Sequence, residues 1–251
     1  MATRGRAGYG LAGWALLLAG GAIVGGLIAA LGSANGWWPF AAGLKSLRYL
    51  FFIALAGAAL GMFARFRRKE RQMMSVVAIL LGLAFAGYLF SLYRVANSVP
   101  AIHDVSTDLI DPPAFATLKV RKDNLDSIPD MGRPGWKNIP PIERWRALVG
   151  EAYPDLKPVR LAMTPEAAIK RAEELVRERG WDLASVDPQA GHLEATATTR
   201  FFRFKDDVVV RARPAPGGTI VDVRSVSRVG KSDLGMNAKR VRKFTKELAE
   251  G

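Results

Sequence analysis

Gly230-Lys231-Ser232 stands directly before a predicted helix, where a phosphate-binding loop would place its lysine and its hydroxyl group. The full loop pattern also needs a glycine five positions before Gly230, because only then can the backbone amides curl around a phosphate. Ser225 occupies that position. The motif therefore predicts a capped turn into the last helix rather than nucleotide hydrolysis.

His103 lies near Asp104, Asp108 and Asp111, and these residue types can bind a metal ion. The group falls in a proline-rich segment, and the only other histidine, His192, is far along the chain. The chain has no cysteine, which excludes disulfides and thiolate sites. Turn capping by the aspartates explains the group better, so we predict neither a metal nor a cofactor.

Asp206 and Asp207 are adjacent carboxylates of the kind used in acid–base catalysis. Adjacent residues of a strand point to opposite faces of the sheet, so these two are not expected to act on one substrate. A polar hairpin end is the favoured interpretation. The alternative is an enzyme of the hydrolase type that uses Asp206, Asp207 or His192.

A basic run before the last helix suggests a binding site for an anion. Arg224, Arg228 and Lys231 precede a helix that begins after Ser232, and helix N-termini bind phosphate and carboxylate groups. In the alternative, Arg224 and Arg228 form ion pairs inside the fold. The acids then expected as their partners are Asp222, Asp233 and Glu194.

Three phenylalanines alternate with three cations in the order Arg200, Phe201, Phe202, Arg203, Phe204, Lys205. One interpretation makes the rings part of the core, beside a solvated hairpin edge. The other is an amphipathic hairpin tip that contacts a bilayer through Phe201, Phe202, Phe204 and Arg203, with cations at the lipid phosphates.

The N-terminal part of the chain must lie in a membrane. Three segments are apolar enough to cross the roughly 30 Å hydrocarbon core, at about 11–31, 44–64 and 72–93. The first exceeds the length of a signal-peptide core and is interpreted as an uncleaved span. Lys45 and Arg48 interrupt the second, which leaves open whether it crosses completely.

The charge distribution predicts the orientation. Residues 1–94 carry a net charge of +9 and flank the spans, which is typical of topology signals rather than of a nucleic-acid surface. The basic loop 65–71 then lies in the cytoplasm together with the N-terminus, and everything after Tyr93 lies outside. We expect a bacterial inner-membrane protein with a periplasmic domain.

Glycines at GxxxG spacing indicate close packing of the spans. The pairs are Gly21 with Gly25 and Gly57 with Gly61. Packing within one chain is favoured over a dimer interface, although an oligomer stays possible through these spans.

Residues 95–160 hold nine of the fourteen prolines, which predicts an extended, irregular linker that wraps against the following domain. Residues 161–251 predict an α+β domain, with an antiparallel sheet covered by helices on one face. Its elements are a helix from Pro165 to Gly180, four strands, and a closing helix from about Ser232. The predicted strands are 181–186, 192–199, 207–213 and 219–226.

The chain resembles a family of domains of unknown function, DUF1499, from about Ile102 to the C-terminus. The resemblance rests on Ile102–Asp108 with Asp111-Pro112-Pro113, on Gly180-Trp181, on Leu193–Thr196 with Phe204–Arg211, and above all on Val221–Arg240. Proteins with this domain behind several N-terminal spans occur in bacteria. The family has no assigned activity, so the resemblance implies no catalytic residue.

The sequence therefore favours a membrane-anchored binding or structural module that recognises an anionic partner, either a lipid headgroup or an envelope component. The envelope enzyme described above is the alternative. Neither ligand nor activity can be derived from the sequence.

Overall fold

The computed structural model describes residues 10–67, 72–126 and 128–250. They form two compact units: the helices up to Val95 together with Arg200–Phe202, and a domain made of the other residues from Ala96 onward. Most of the predicted basic loop, residues 68–71, lies outside the described residues.

The helical unit consists of α1 (Leu11–Ala34), α2 (Phe40–Arg67) and α3 (Gln72–Ser98). All three helices are long and apolar enough to cross a membrane, which confirms the prediction of three apolar N-terminal helices. The second span is a continuous helix despite Lys45 and Arg48, because both side chains are exposed and their long stems can carry the charge to the headgroups.

Glycine and alanine set the spacing between these helices. A Cβ atom at Gly57 would lie 2.7 Å from the backbone nitrogen of Ala19 in α1. A Cβ atom at Gly82 of α3 would lie 2.5 Å from the carbonyl oxygen of Ala54 in α2. Larger residues at either position would push the backbones apart, so the small residues serve packing within the chain.

The C-terminal domain is α+β, as predicted. Its elements in chain order are β1 (Asp104–Ser106), α4 (Pro141–Ala152), β2 (Val159–Leu161), α5 (Pro165–Glu178), β3 (Asp182–Asp187), β4 (His192–Thr198), β5 (Lys205–Ala215), β6 (Gly218–Ser227) and α6 (Met236–Glu250). The sheet is antiparallel in the order β1-β6-β5-β4-β3, and β2 pairs with another part of β6.

Strand alternation gives the sheet two unlike faces. Val208, Val210 and Val223 point into the core with the apolar sides of α5 and α6. The Thr164 side chain caps α5, accepting a hydrogen bond from the amide of Ala167. The other face carries charged residues, and it is there that candidate functional side chains lie.

The proline-rich segment is more ordered than predicted. It supplies β1, β2 and α4, and Trp145 of α4 is fully buried in the core. The expectation of an irregular stretch is wrong for residues 141–152. Proline at the first position of a helix costs no hydrogen bond, so Pro140-Pro141 starts this helix instead of preventing it.

Candidate functional site

The charged face of the sheet is neutralised by ion pairs. Asp104 is fully buried and accepts hydrogen bonds from Arg224 Nε at 3.0 Å and Nη2 at 2.6 Å. Asp222, also fully buried, lies 2.8 Å from Arg213 Nη2 and 3.1 Å from Arg211 Nη2. Buried carboxylates require such partners.

The two adjacent carboxylates point in opposite directions. Asp206 accepts a hydrogen bond from Arg240 of α6 at 2.6 Å, on the core side of the sheet. Asp207 accepts hydrogen bonds from Thr196 at 2.8 Å and from Arg228 at 2.8 Å on the other side. Each carboxylate is thus neutralised separately, and the pair does not converge on one substrate.

These contacts change the environment of the predicted anion site. Arg224 and Arg228 pair inside the fold, with Asp104 and Asp207 rather than with the three acids that the sequence suggested. The Asp233 carboxylate accepts hydrogen bonds from the backbone amides of Gly235 at 2.8 Å and Asn237 at 2.7 Å, so it already binds the N-terminal end of α6. The anion site at Arg224, Arg228, Lys231 and Ser232 stays a prediction, with Arg228 and Lys231 as its exposed cations.

Both histidines contact backbone carbonyls. His103 is buried, with Nε2 3.1 Å from Asn124 Oδ1 and Nδ1 3.4 Å from the carbonyl oxygen of Lys231. His192 Nε2 lies 3.2 Å from the carbonyl oxygen of Ala114. Within the part of the chain that the structure describes, no three histidines or acids are grouped to hold a metal ion.

Glu194 is fully buried, and it does not pair with Arg224 or Arg228 as the sequence suggested. Its carboxylate accepts hydrogen bonds from the backbone amides of Ala116, Thr117 and Leu118 at 2.5–3.2 Å. Residues 107–118, here called the cover segment, are thereby held over the charged face. The sequence feature that could have indicated this burial is the position of Glu194 between the apolar residues Leu193 and Ala195, both of which are fully buried.

Three chain segments meet at one end of the sheet, which we call the loop end: residues 99–103, 199–205 and 228–235. The amide of Arg228 donates to the carbonyl of Lys205 at 3.0 Å. The amide of Asp233 donates to the carbonyl of Ile102 at 3.1 Å. These two hydrogen bonds join the segments of the loop end across 23 and 131 positions of the sequence, respectively.

The loop end presents apolar and cationic side chains to the outside. Phe201 is 50% exposed and Val229 is 40% exposed. The exposed cations of the loop end are Arg200, Arg203, Lys205, Arg228 and Lys231. Apart from the Arg228–Asp207 pair, no ion pair involving these cations occurs among the described residues.

The hairpin that carries Phe201 has a defined conformation. The Thr199 hydroxyl accepts a hydrogen bond from the Phe204 amide, and the Thr199 amide donates to the Phe204 carbonyl, each at 2.8 Å. Arg203 adopts a left-handed φ of 55°, which is uncommon outside glycine. The chain thus holds a cation in a strained position at the tip. Phe202 and Phe204 are half-buried, whereas Phe201 and Arg203 face outward.

The fold and this surface define a class: a protein with three helices long and apolar enough to cross a membrane, followed by an α+β domain that exposes a cationic, aromatic loop end. A family model described as "Protein of unknown function (DUF1499)" matches residues 104–248. The chain belongs to this family, since the match covers more than half of its length, and the predicted resemblance is confirmed. A search of curated proteins finds no match.

Proposed function

We propose that this protein is a membrane-anchored binding module whose loop end holds the domain against the anionic headgroups of the bilayer. The single observation that carries this proposal is the hairpin of the loop end, where Phe201 is 50% exposed between the exposed cations Arg200, Arg203 and Lys205, and the Arg200 guanidinium lies 5.8 Å from its ring centre. Exposed apolar side chains combined with cations are what interfacial segments use at lipid surfaces.

Chain length supports this orientation. Helix α3 continues from Arg94 to Ser98, about 6 Å of helix. From Ser98 the chain needs only four steps to Ile102, which already belongs to the loop end, and four steps span at most roughly 14 Å. Ile102 therefore lies no more than about 20 Å from Arg94, which keeps this part of the loop end near the C-terminal end of α3.

Electrostatics supports the choice of partner. A Lys or Arg near an anionic bilayer contributes about 1 kcal/mol, provided that it lies within a Debye length of the surface. Arg203, Lys205 and Lys231 have no acidic partner among the described residues that would weaken this attraction. By contrast, Arg224 is already neutralised by Asp104 and contributes little.

The positive-inside rule completes the proposal. With the N-terminus and the residues near Arg65 and Arg67 in the cytoplasm, three spans place the domain on the opposite side. In a bacterial inner membrane that side is the periplasm. A periplasmic reporter enzyme fused after Gly251 should then be active, and activity of only a cytoplasmic reporter would contradict this topology.

Hydrogen exchange of the full chain in lipid nanodiscs tests the loop end. With phosphatidylglycerol present, the amides of residues 199–205 and 228–232 should exchange more slowly than in nanodiscs of phosphatidylcholine alone. The variant Arg200→Gln/Arg203→Gln/Lys205→Gln should lose this difference, because it removes three positive charges and alters no side chain that makes an ion pair in the described structure.

A matched variant removes the same charge elsewhere. Lys157→Gln/Arg160→Gln/Lys170→Gln changes three exposed cations that lie outside the loop end. It should keep the lipid-dependent protection. Equal protection in both lipids, or equal loss in both variants, would contradict the proposal.

A further inference from the structure

Two side chains near the start of α6 contact the base of every segment of the loop end. They are Asn237, which is fully buried, and Arg240, whose side chain is 10% exposed. Their partners are His103, which ends the first segment, Asp206, which directly follows the second, and Ser227, which directly precedes the third. We propose that this pair, here called the α6 clamp, positions the loop end for its contact with anionic headgroups, an inference that rests on the proposed function.

Asn237 joins the first and third segments. Its Nδ2 donates hydrogen bonds to the carbonyl oxygen of His103 and to the Ser227 hydroxyl, each at 2.9 Å. Its Oδ1 accepts hydrogen bonds from the Ser225 hydroxyl at 2.6 Å and from Arg240. Two donors and two lone pairs are the full capacity of a side-chain amide. Because a fully satisfied buried network specifies one arrangement of its members, Asn237 fixes these two segments relative to each other.

Arg240 connects the hairpin segment to Asn237. Its Nη2 donates a hydrogen bond to Asp206 at 2.6 Å, and its Nη1 donates one to the Ser225 hydroxyl at 3.1 Å. Asp206 is 3% exposed, and a buried carboxylate needs a cationic partner. The strand that leaves the hairpin is therefore tied to α6 at its first residues.

The chain before α6 is bent so that Asn237 meets these partners. Leu234 has a left-handed φ of 57°, which is rare for a bulky residue. The Asp233 carboxylate accepts a hydrogen bond from the Asn237 amide at 2.7 Å, and the Asp233 amide donates to the carbonyl of Ile102 at 3.1 Å. The fold thus holds a strained residue in order to place the start of α6 against the first segment.

The clamp also gives a physical reason for the sequence block Val221–Arg240, which carries the strongest family resemblance. The residues of the clamp network that lie in this block are Ser225, Ser227, Asp233, Asn237 and Arg240. Their side chains assemble a surface, so the block needs no catalytic role to account for these residue types.

Hydrogen exchange of the full chain in lipid nanodiscs tests the clamp. In phosphatidylcholine alone, Asn237→Ala should make the amides of Ser227 and Asp233 exchange roughly tenfold faster or more, because their acceptors belong to the first segment, which is no longer held. In nanodiscs with phosphatidylglycerol, residues 228–232 should lose the additional protection that the native chain gains. This variant keeps every cation of the chain, so the loss cannot come from charge.

A matched variant removes a buried polar side chain at the opposite end of β6. Thr219→Ala breaks a hydrogen bond of 2.6 Å to the carbonyl of Met163, and it should leave the exchange at Ser227 and Asp233 and the response to lipid unchanged. If Asn237→Ala does not fold, Asn237→Asp keeps an acceptor oxygen and removes the two donors. Its exchange is then measured in phosphatidylcholine, which carries no net charge.

The outcomes separate the clamp from the proposed function. Unchanged exchange at Ser227 and Asp233 would overturn the clamp, and so would an equal acceleration at the buried residues 208–210, which would indicate general destabilisation. Faster exchange with full lipid-dependent protection of residues 228–232 would also overturn it, whereas the proposed function would stand. If the native chain shows no difference between the lipids, the proposed function fails, and the exchange in phosphatidylcholine still decides whether the clamp holds the segments.

Discussion

At the scale of single residues, the chemistry of this domain is set by partners that are distant in sequence. Arg224 could be predicted as a cation but not as the partner of Asp104, because 120 positions separate the two. Asp206 and Asp207 were the exception. Strand alternation alone predicts that they face apart, and they do, toward Arg240 and Arg228.

The buried Asp104–Arg224 pair should matter far more than an exposed one. Asp104→Ala leaves the largely buried guanidinium of Arg224 without its carboxylate, and we expect the free energy of unfolding to fall by about 3–5 kcal/mol. Asp111→Ala removes a 68% exposed carboxylate that lies 2.9 Å from Arg211 and should cost less than about 1 kcal/mol. Denaturant unfolding of the detergent-solubilised protein, followed by near-UV circular dichroism, measures both. Similar losses of unfolding free energy in the two variants would show that burial does not decide the contribution of an ion pair.

Asp233 should make stability depend on pH. Burial raises the pKa of its carboxyl group above the ordinary 3.8. Hydrogen bonds from the amides of Asn237 and Gly235 lower this pKa, but the effect of burial is larger. Because the folded state holds this proton more tightly than the unfolded chain, the group stabilises the fold at pH values below its unfolded-state pKa. This stabilisation is lost as the pH rises through its folded-state pKa. The native protein should therefore lose stability relative to Asp233→Asn as the pH rises above about 4, the ordinary pKa of an aspartate. The opposite slope in paired melting curves would contradict this sign.

At the scale of elements, long periodic segments could be predicted and short ones could not. The helix that begins at Pro165 and the four central strands lie within about two residues of their predicted limits. Strands β1 and β2 have three residues each, too few to show alternation. In α4, the apolar spacing of Trp145, Leu148 and Val149 was a helical signal hidden by the high proline content.

The cover segment should depend on Glu194. Glu194→Gln replaces one acceptor oxygen with an NH₂ group, which cannot accept a hydrogen bond from the backbone amides of the cover segment. The amides of residues 116–118 should then exchange with solvent at least tenfold faster, which hydrogen exchange with mass spectrometry can measure. Glu151→Gln, which affects an exposed pair with Arg133, should leave them unchanged. Unchanged exchange in the Glu194 variant would show that other contacts hold the segment.

At the scale of the whole molecule, apolar length and the periodicity of helices and strands predicted the architecture. Three spans followed by an α+β domain could be read from the sequence because both signals accumulate over many residues. The loop end could not, since it is assembled from three segments that only the fold brings together. The sequence marked Phe201 and Arg203 as unusual, and the structure adds Val229 and Lys231 to the same surface.

The most direct test of the loop end places an environment-sensitive dye on it. The chain has no cysteine, so Val229→Cys and Pro216→Cys each create a unique labelling site. Pro216 lies in the turn between β5 and β6, at the end of these two strands that is opposite to the loop end. In nanodiscs with phosphatidylglycerol, spin-labelled lipid should quench the dye at position 229 strongly and the dye at position 216 hardly at all. Arg200→Gln/Arg203→Gln/Lys205→Gln should reduce the quenching at 229, whereas equal quenching at both positions, or none at 229, would contradict a membrane-facing loop end.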